Sequence, residues 1–143
     1  MKGWRLAGVI VFSIFALMEV GDWLGLVPGY SNPDQYARLV GLSTQEEVFR
    51  LIVLSSLAAG IVVCSLATVV SLFRRARTAR FTSAFTGGLF MAYGLYQLFA
   101  GMFQLRASQQ AVMVAGVIYL LVGMLAIWLG RKAYRAARRE RFE

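Results

Sequence analysis

From Val48 to Phe73 the chain reads VFRLIVLSSLAAGIVVCSLATVVSLF, an apolar run interrupted by one charged residue, Arg50. A helix rises about 1.5 Å per residue, so this run is long enough to cross the roughly 30 Å hydrocarbon core of a bilayer. Outward from it lie three more runs of similar character, Trp4 to Val27, Phe81 to Leu105 and Ala111 to Gly130. The pattern predicts an all-α integral membrane protein: four transmembrane helices in an antiparallel bundle. It forms one membrane domain over residues 1–143, with spans at about 4–27, 48–73, 81–105 and 111–130 and a basic tail at 131–143. Composition agrees. The chain is 59% apolar and 15% charged, with a mean hydropathy of +0.64, whereas soluble domains carry about 25% charged residues. Lys2 and Arg5 at the head of the first run give it the charge pattern of a secretory leader, but no A-x-A-like site follows, so it reads as a retained anchor helix.

Charge sets the expected orientation. Lys2, Arg5, Arg74, Arg75, Arg77, Arg80, Arg131, Lys132, Arg135, Arg138, Arg139 and Arg141 fall on one side of the four runs, and only Arg38, Arg50 and Arg106 on the other. Basic residues stay cytoplasmic, which predicts both termini inside, in a bacterial plasma membrane. The loops around 28–47 and 106–110 are then outside. Gly29 belongs to the first of these loops, where a larger residue should be tolerated. The same loop carries a short helix signal: Asn32 to cap, Pro33 at the first position, Asp34 at the positive dipole end and Gly41 to stop. With Tyr36, Leu39 and Val40 on one side it is expected to rest on the outer interface. Two overlapping capping boxes then open the second span, Ser43 with Glu46 or Thr44 with Glu47.

The third and fourth runs carry glycines at sevenfold spacing, Gly87, Gly94 and Gly101 in one and Gly116, Gly123 and Gly130 in the other. Sevenfold spacing keeps them on one helix face. Lipid is as apolar as leucine, so helices in a bilayer associate by close packing between small residues. A turn at Arg106-Ala107-Ser108, with Ser108 capping the last span, would pair Gly101 with Gly116, Gly94 with Gly123 and Gly87 with Gly130. Ser56, Gly60 and Cys64 repeat the small-residue theme in the second span.

Ionisable groups inside a span cost about 2.5–3.5 kcal/mol each on insertion scales and usually have a partner or a purpose. Glu19 and Asp22 share a face of the first span, Gln97 is at a similar depth to Glu19, and Arg50 is near the level of Asp22. These four form a candidate intramembrane polar cluster. As a structural tie, Glu19 or Asp22 pairs with Arg50 and Gln97 bonds across helices. As a transport site, the two carboxylates hold a cation or proton. An available arginine favours the tie.

Missing residue types exclude much chemistry. Without His, and with Cys64 as the one cysteine, there is no imidazole metal or haem ligand and no intramolecular disulfide. No Gly-rich phosphate loop or nucleophile elbow occurs. The chain is therefore expected to be no enzyme and to carry no cofactor or metal. Arg131, Lys132, Arg135, Arg138 and Arg139 directly follow a span, which suits contact with membrane lipid head groups and not nucleic acid. The expected function is a non-catalytic membrane subunit or scaffold packing against a membrane-protein partner or a second copy. The alternative is a homo-oligomeric small transporter or channel using Glu19 and Asp22.

Overall fold

A computed structural model describes residues 3–104 and 109–142. Among the described residues the chain is helical and contains no strand. Its elements are α1 (Trp4–Ser31), α2 (Pro33–Val40), α3 (Thr44–Phe73), α4 (Ala79–Phe99) and α5 (Gln109–Phe142). Residues Ala100–Gln104 continue α4 as a π-helical turn. The expected turn at Arg106-Ala107-Ser108 and its Ser108 cap lie outside the described residues.

Local chemistry accounts for the breaks. Proline at 33 bars the helical region for the residue before it; Asn32 is at φ −138° and ψ 66°, so α1 stops and α2 starts. Asn32 makes no side-chain cap, contrary to its expected role; Asp34 instead accepts a 2.5 Å hydrogen bond from the Thr44 hydroxyl. Gly41 adopts the left-handed conformation at φ 77°, and the Leu42 amide returns to the Ala37 carbonyl at 2.8 Å, a C-terminal closure that needs glycine. Of the two capping boxes, the one formed is Ser43 with Glu46: the Glu46 amide donates to Ser43 Oγ at 3.2 Å and the Ser43 amide to Glu46 Oε2 at 2.8 Å. The first helix runs past Val27 to Ser31 and includes Pro28. Gly29 is thus helical and buried, not in a loop, and a Cβ there would come within 3.1 Å of Leu51.

The four long helices form a ring in which α1 packs on α3 and α5, and α4 packs on α3 and α5, while α2 lies against α3. Their buried faces follow a 3–4 alternation. On α3 it is Glu47, Leu51, Leu54, Ala58, Ile61, Ser65, Thr68 and Leu72, with Ser71 buried beside the last, a seam of the heptad type. A central core of Phe12, Phe15, Leu54, Ile61, Phe90, Tyr93 and Ala126 lies between the helices. Edge-to-face contacts at 5.6 Å (Phe12–Phe15) and 5.0 Å (Phe15–Phe90) fill it.

Polarity is inverted relative to a soluble domain. Ser65, Thr68, Ser83 and Thr86 are buried, while Leu17, Val63, Phe85 and Phe103 are each about two-thirds or more exposed. Thr68 and Thr86 bond back to the carbonyls of Cys64 and Thr82, whereas the buried Ser65 hydroxyl has no partner. Three helices, α1, α3 and α5, are long and apolar enough to cross a membrane. They are compatible with a membrane protein.

The glycine faces meet, but in a register seven residues from the expected one. A Cβ on Gly94 would lie 2.5 Å from the Gly116 carbonyl oxygen, and one on Gly87 would lie 2.6 Å from that of Gly123. Gly101 instead accommodates Met113, and Gly130 accommodates Ser83. A sevenfold repeat matches itself after a shift of seven, so it specifies the face and leaves the register to the neighbouring knobs Leu98, Leu120 and Met91. Gly94→Leu should cost about 1–3 kcal/mol or more, because the obstacle is backbone. Gly88→Leu, where a Cβ meets nothing within 4 Å, should be within about 0.5 kcal/mol of wild type. Unfolding in detergent followed by circular dichroism checks both.

Candidate functional site

Two polar assemblies bracket the apolar core. At the basic end, Arg5 in the first turn of α1 is 6% exposed. Its Nε donates to the Leu72 carbonyl at 2.8 Å and Nη2 to the Phe73 carbonyl at 2.9 Å, so a cation covers the negative end of α3. Its Nη1 meets Glu140 Oε2 at 2.5 Å, and Arg75 Nη1 donates to the Glu140 carbonyl at 2.9 Å. One arginine thus joins α1, α3 and α5. From the sequence Arg5 counted only as an orientation charge; the signal for more was Glu140, the lone acid within the basic tail up to Arg141.

At the other end all four long helices contribute. Glu19 is 1% exposed, and its Oε2 has no hydrogen-bond partner. Asp22, one turn on and exposed at the surface, accepts a hydrogen bond from the Tyr119 hydroxyl of α5. Tyr119 is held for this by stacking on Tyr93 with ring centroids 4.3 Å apart. The Gln97 Oε1 and Tyr96 hydroxyl on α4 are also buried without partners. Each such group forgoes about 1–3 kcal/mol, and native structures usually meet that cost with water, an ion or another chain.

The expected tie from Glu19 or Asp22 to Arg50 is not formed. Arg50 is bound in a fork to Glu47, Nε to Oε2 at 2.9 Å and Nη2 to Oε1 at 2.8 Å. Glu47 is one turn away on the same helix, so the pair forms without reaching across the bundle. The sequence assigns Glu47 only to a capping box. The available signal was its place on the α3 seam, four residues before Leu51, which buries it completely. Tyr119 had no sequence signal apart from its residue type.

The remaining predicted residues are placed as follows. Gly87, Gly94, Gly116, Gly123 and Gly130 are buried between helices, and Gly101 is buried beside Met113. On the tail, Arg131, Arg135, Arg138 and Arg139 are exposed, while Lys132 is half-buried with Nζ 5.8 Å from the Trp128 ring centroid. Among the described residues no three Cys, Asp or Glu side chains gather as metal ligands.

Fold and site together define an α-helical protein whose long apolar helices suit a bilayer and whose charges gather at the two ends of a bundle. Compared with models of protein families, with curated proteins and with solved structures, the chain matches none.

The buried Glu47–Arg50 pair carries a prediction. Arg50→Met leaves a carboxylate unpaired and should cost about 3 kcal/mol or more. Adding Glu47→Gln should return most of that loss, since the double variant buries no lone charge. Thermal unfolding of the three proteins in one detergent measures it.

Proposed function

We propose that this chain is an integral membrane protein of four spans with both termini cytoplasmic, in a bacterial plasma membrane. It serves as a non-catalytic subunit or scaffold that packs against a membrane partner or a second copy. Support for α4 as the fourth span comes from where its polar groups lie. Ser83, Thr86 and Tyr93, which lower its mean hydropathy, are buried, while Phe81, Phe85, Leu95 and Phe99 face outward. A hydropathy average counts side chains on both faces alike, whereas lipid meets only one. In this reading α2 lies on the outer interface, and the interface levels carry Trp4 packed edge-on to Trp128 at 5.4 Å.

The observation that carries the subunit reading is the pair Gly21 and Gly25 on α1. Both are exposed, and a Cβ on either would meet nothing within 4 Å. The glycines between α4 and α5 serve packing within the chain; these two, at GxxxG spacing, offer the same close approach to a helix from outside. The filled aromatic centre also weighs against conduction along the axis of a single bundle.

The double variant Gly21→Leu/Gly25→Leu should fold as wild type, since nothing obstructs the new side chains. Extracted in mild detergent, wild type should migrate in an assembly larger than its 15.8 kDa chain, and the double variant as a single chain in its micelle. Equal sizes would remove the proposed interface. Glu19 Oε2, buried without a hydrogen-bond partner, favours a second reading, a homo-oligomeric transporter or channel with Glu19 and Asp22 as the cation or proton site. Cation or proton flux in vesicles, abolished by Glu19→Gln in a protein that still assembles, would put that reading first.

Orientation is tested separately. A reporter active only outside the cytoplasm should be silent after Glu143 and active near Gln35; the reverse pattern overturns the span count and the charge argument together.

A further inference from the structure

We propose that the groove between the start of α4 and the tail of α5 binds an anionic phospholipid. Its phosphate is held by Arg80, Arg131, Arg135 and Arg138, and one acyl chain lies along Ala84 and Gly88. The proposal rests on the membrane reading above and names the ligand of one site. The groove encloses about 380 Å³ and is lined by the four arginines and Tyr134. Among the described residues none of the four is in an ion pair. Arg5 and Arg75, at the same end of the bundle, both have Glu140. Four guanidinium groups converging on one space repel each other unless an anion enters, and the planar fork of arginine suits phosphate oxygens. The geometry is regular: Arg131, Arg135 and Arg138 recur at one face of α5, and Arg80 faces them from the first turn of α4, where the helix end adds partial positive charge.

The surface beneath favours a lipid over a soluble phosphate. Ala84 and Gly88 follow Arg80 on the same face of α4, about 6 and 12 Å along its axis. With Phe85 and Leu89 they line an apolar groove of about 290 Å³. A charged groove at the start of α4 and an apolar one beginning about one turn further along the same helix suit a molecule with an anionic head and a hydrocarbon tail. Trp128, exposed one turn before Arg131, marks the interface level at which such a head resides. Lys132 and Arg139 line a neighbouring groove with Trp4 and Glu140, which shares Arg135 with the first and where the protein supplies its own acid. They are the internal control.

The full chain is first reconstituted in phosphatidylcholine vesicles, then returned to neutral detergent and titrated with phosphatidylglycerol, with glycerophosphate as the headgroup alone. Native mass spectrometry reads stoichiometry and affinity. Wild type should take up about one phosphatidylglycerol per chain, with Arg80→Gln/Arg131→Gln, which line only the proposed groove, weakening it about tenfold or more and Lys132→Gln/Arg139→Gln changing it less than about twofold. Gly88→Leu should weaken the lipid and leave glycerophosphate unchanged. Equal losses in the two charge pairs would reduce the site to diffuse surface charge and overturn the proposal. Glycerophosphate competing as well as the lipid would make the ligand a soluble phosphate and overturn it also. A chain that does not enter phosphatidylcholine vesicles, which contain no anionic lipid, overturns the membrane reading itself and the lipid with it.

Discussion

The contact on which the bundle depends is the backbone approach of α4 to α5 at Gly94–Gly116 and Gly87–Gly123. Where water gives helices no reason to associate, the available attraction is dispersion between closely packed atoms, and only glycine lets carbonyl oxygens come this near a neighbouring Cα. The hairpin so formed presents Phe90, Tyr93 and Ala126 as one surface, against which Phe12 and Phe15 of α1 and Leu54 and Ile61 of α3 complete the core. It also sets the height of Tyr119 beside Tyr93, and therefore which α1 carboxylate the Tyr119 hydroxyl can reach. A hairpin displaced by one heptad would bring Val112 or Ala126 to that level, and neither carries a hydroxyl for Asp22.

Polar residues close the two ends of this packing in different ways. At the basic end Arg5 meets two carbonyls and a carboxylate, so every contact is charge-assisted. Arg5 is thereby saturated, and the surrounding arginines of α5 face outward. At the other end Glu47 and Arg50 satisfy each other, which leaves Glu19 and Gln97 with oxygens unmet inside the bundle. The first arrangement fastens three helices. The second leaves unused hydrogen-bonding capacity, and it is the reason a transport reading stands beside the subunit reading.

Helix type and most helix boundaries were legible in the sequence because each has a local cause. Apolar length marks α1, α3 and α5, Pro33 and Gly41 bound α2, and Ser43 with Glu46 starts α3. The glycine face was equally legible, since sevenfold spacing is a property of one helix alone. The candidate site was legible only as a set of residue types. Glu19, Asp22, Arg50 and Gln97 do gather toward one end, yet their pairing differs from the expected tie.

What the sequence by itself determined, then, is which residues share a helix face and which stretches are helical, because both follow from neighbours a few positions apart. Tertiary structure alone decided the heptad register of α4 on α5, the choice of Glu47 for Arg50, the reach of Tyr119 to Asp22 and the capture of Glu140 by Arg5. Each of these selects among partners that residue type makes equally acceptable. The selection comes from the relative height and rotation of packed helices, which are set by side-chain interdigitation across the whole bundle.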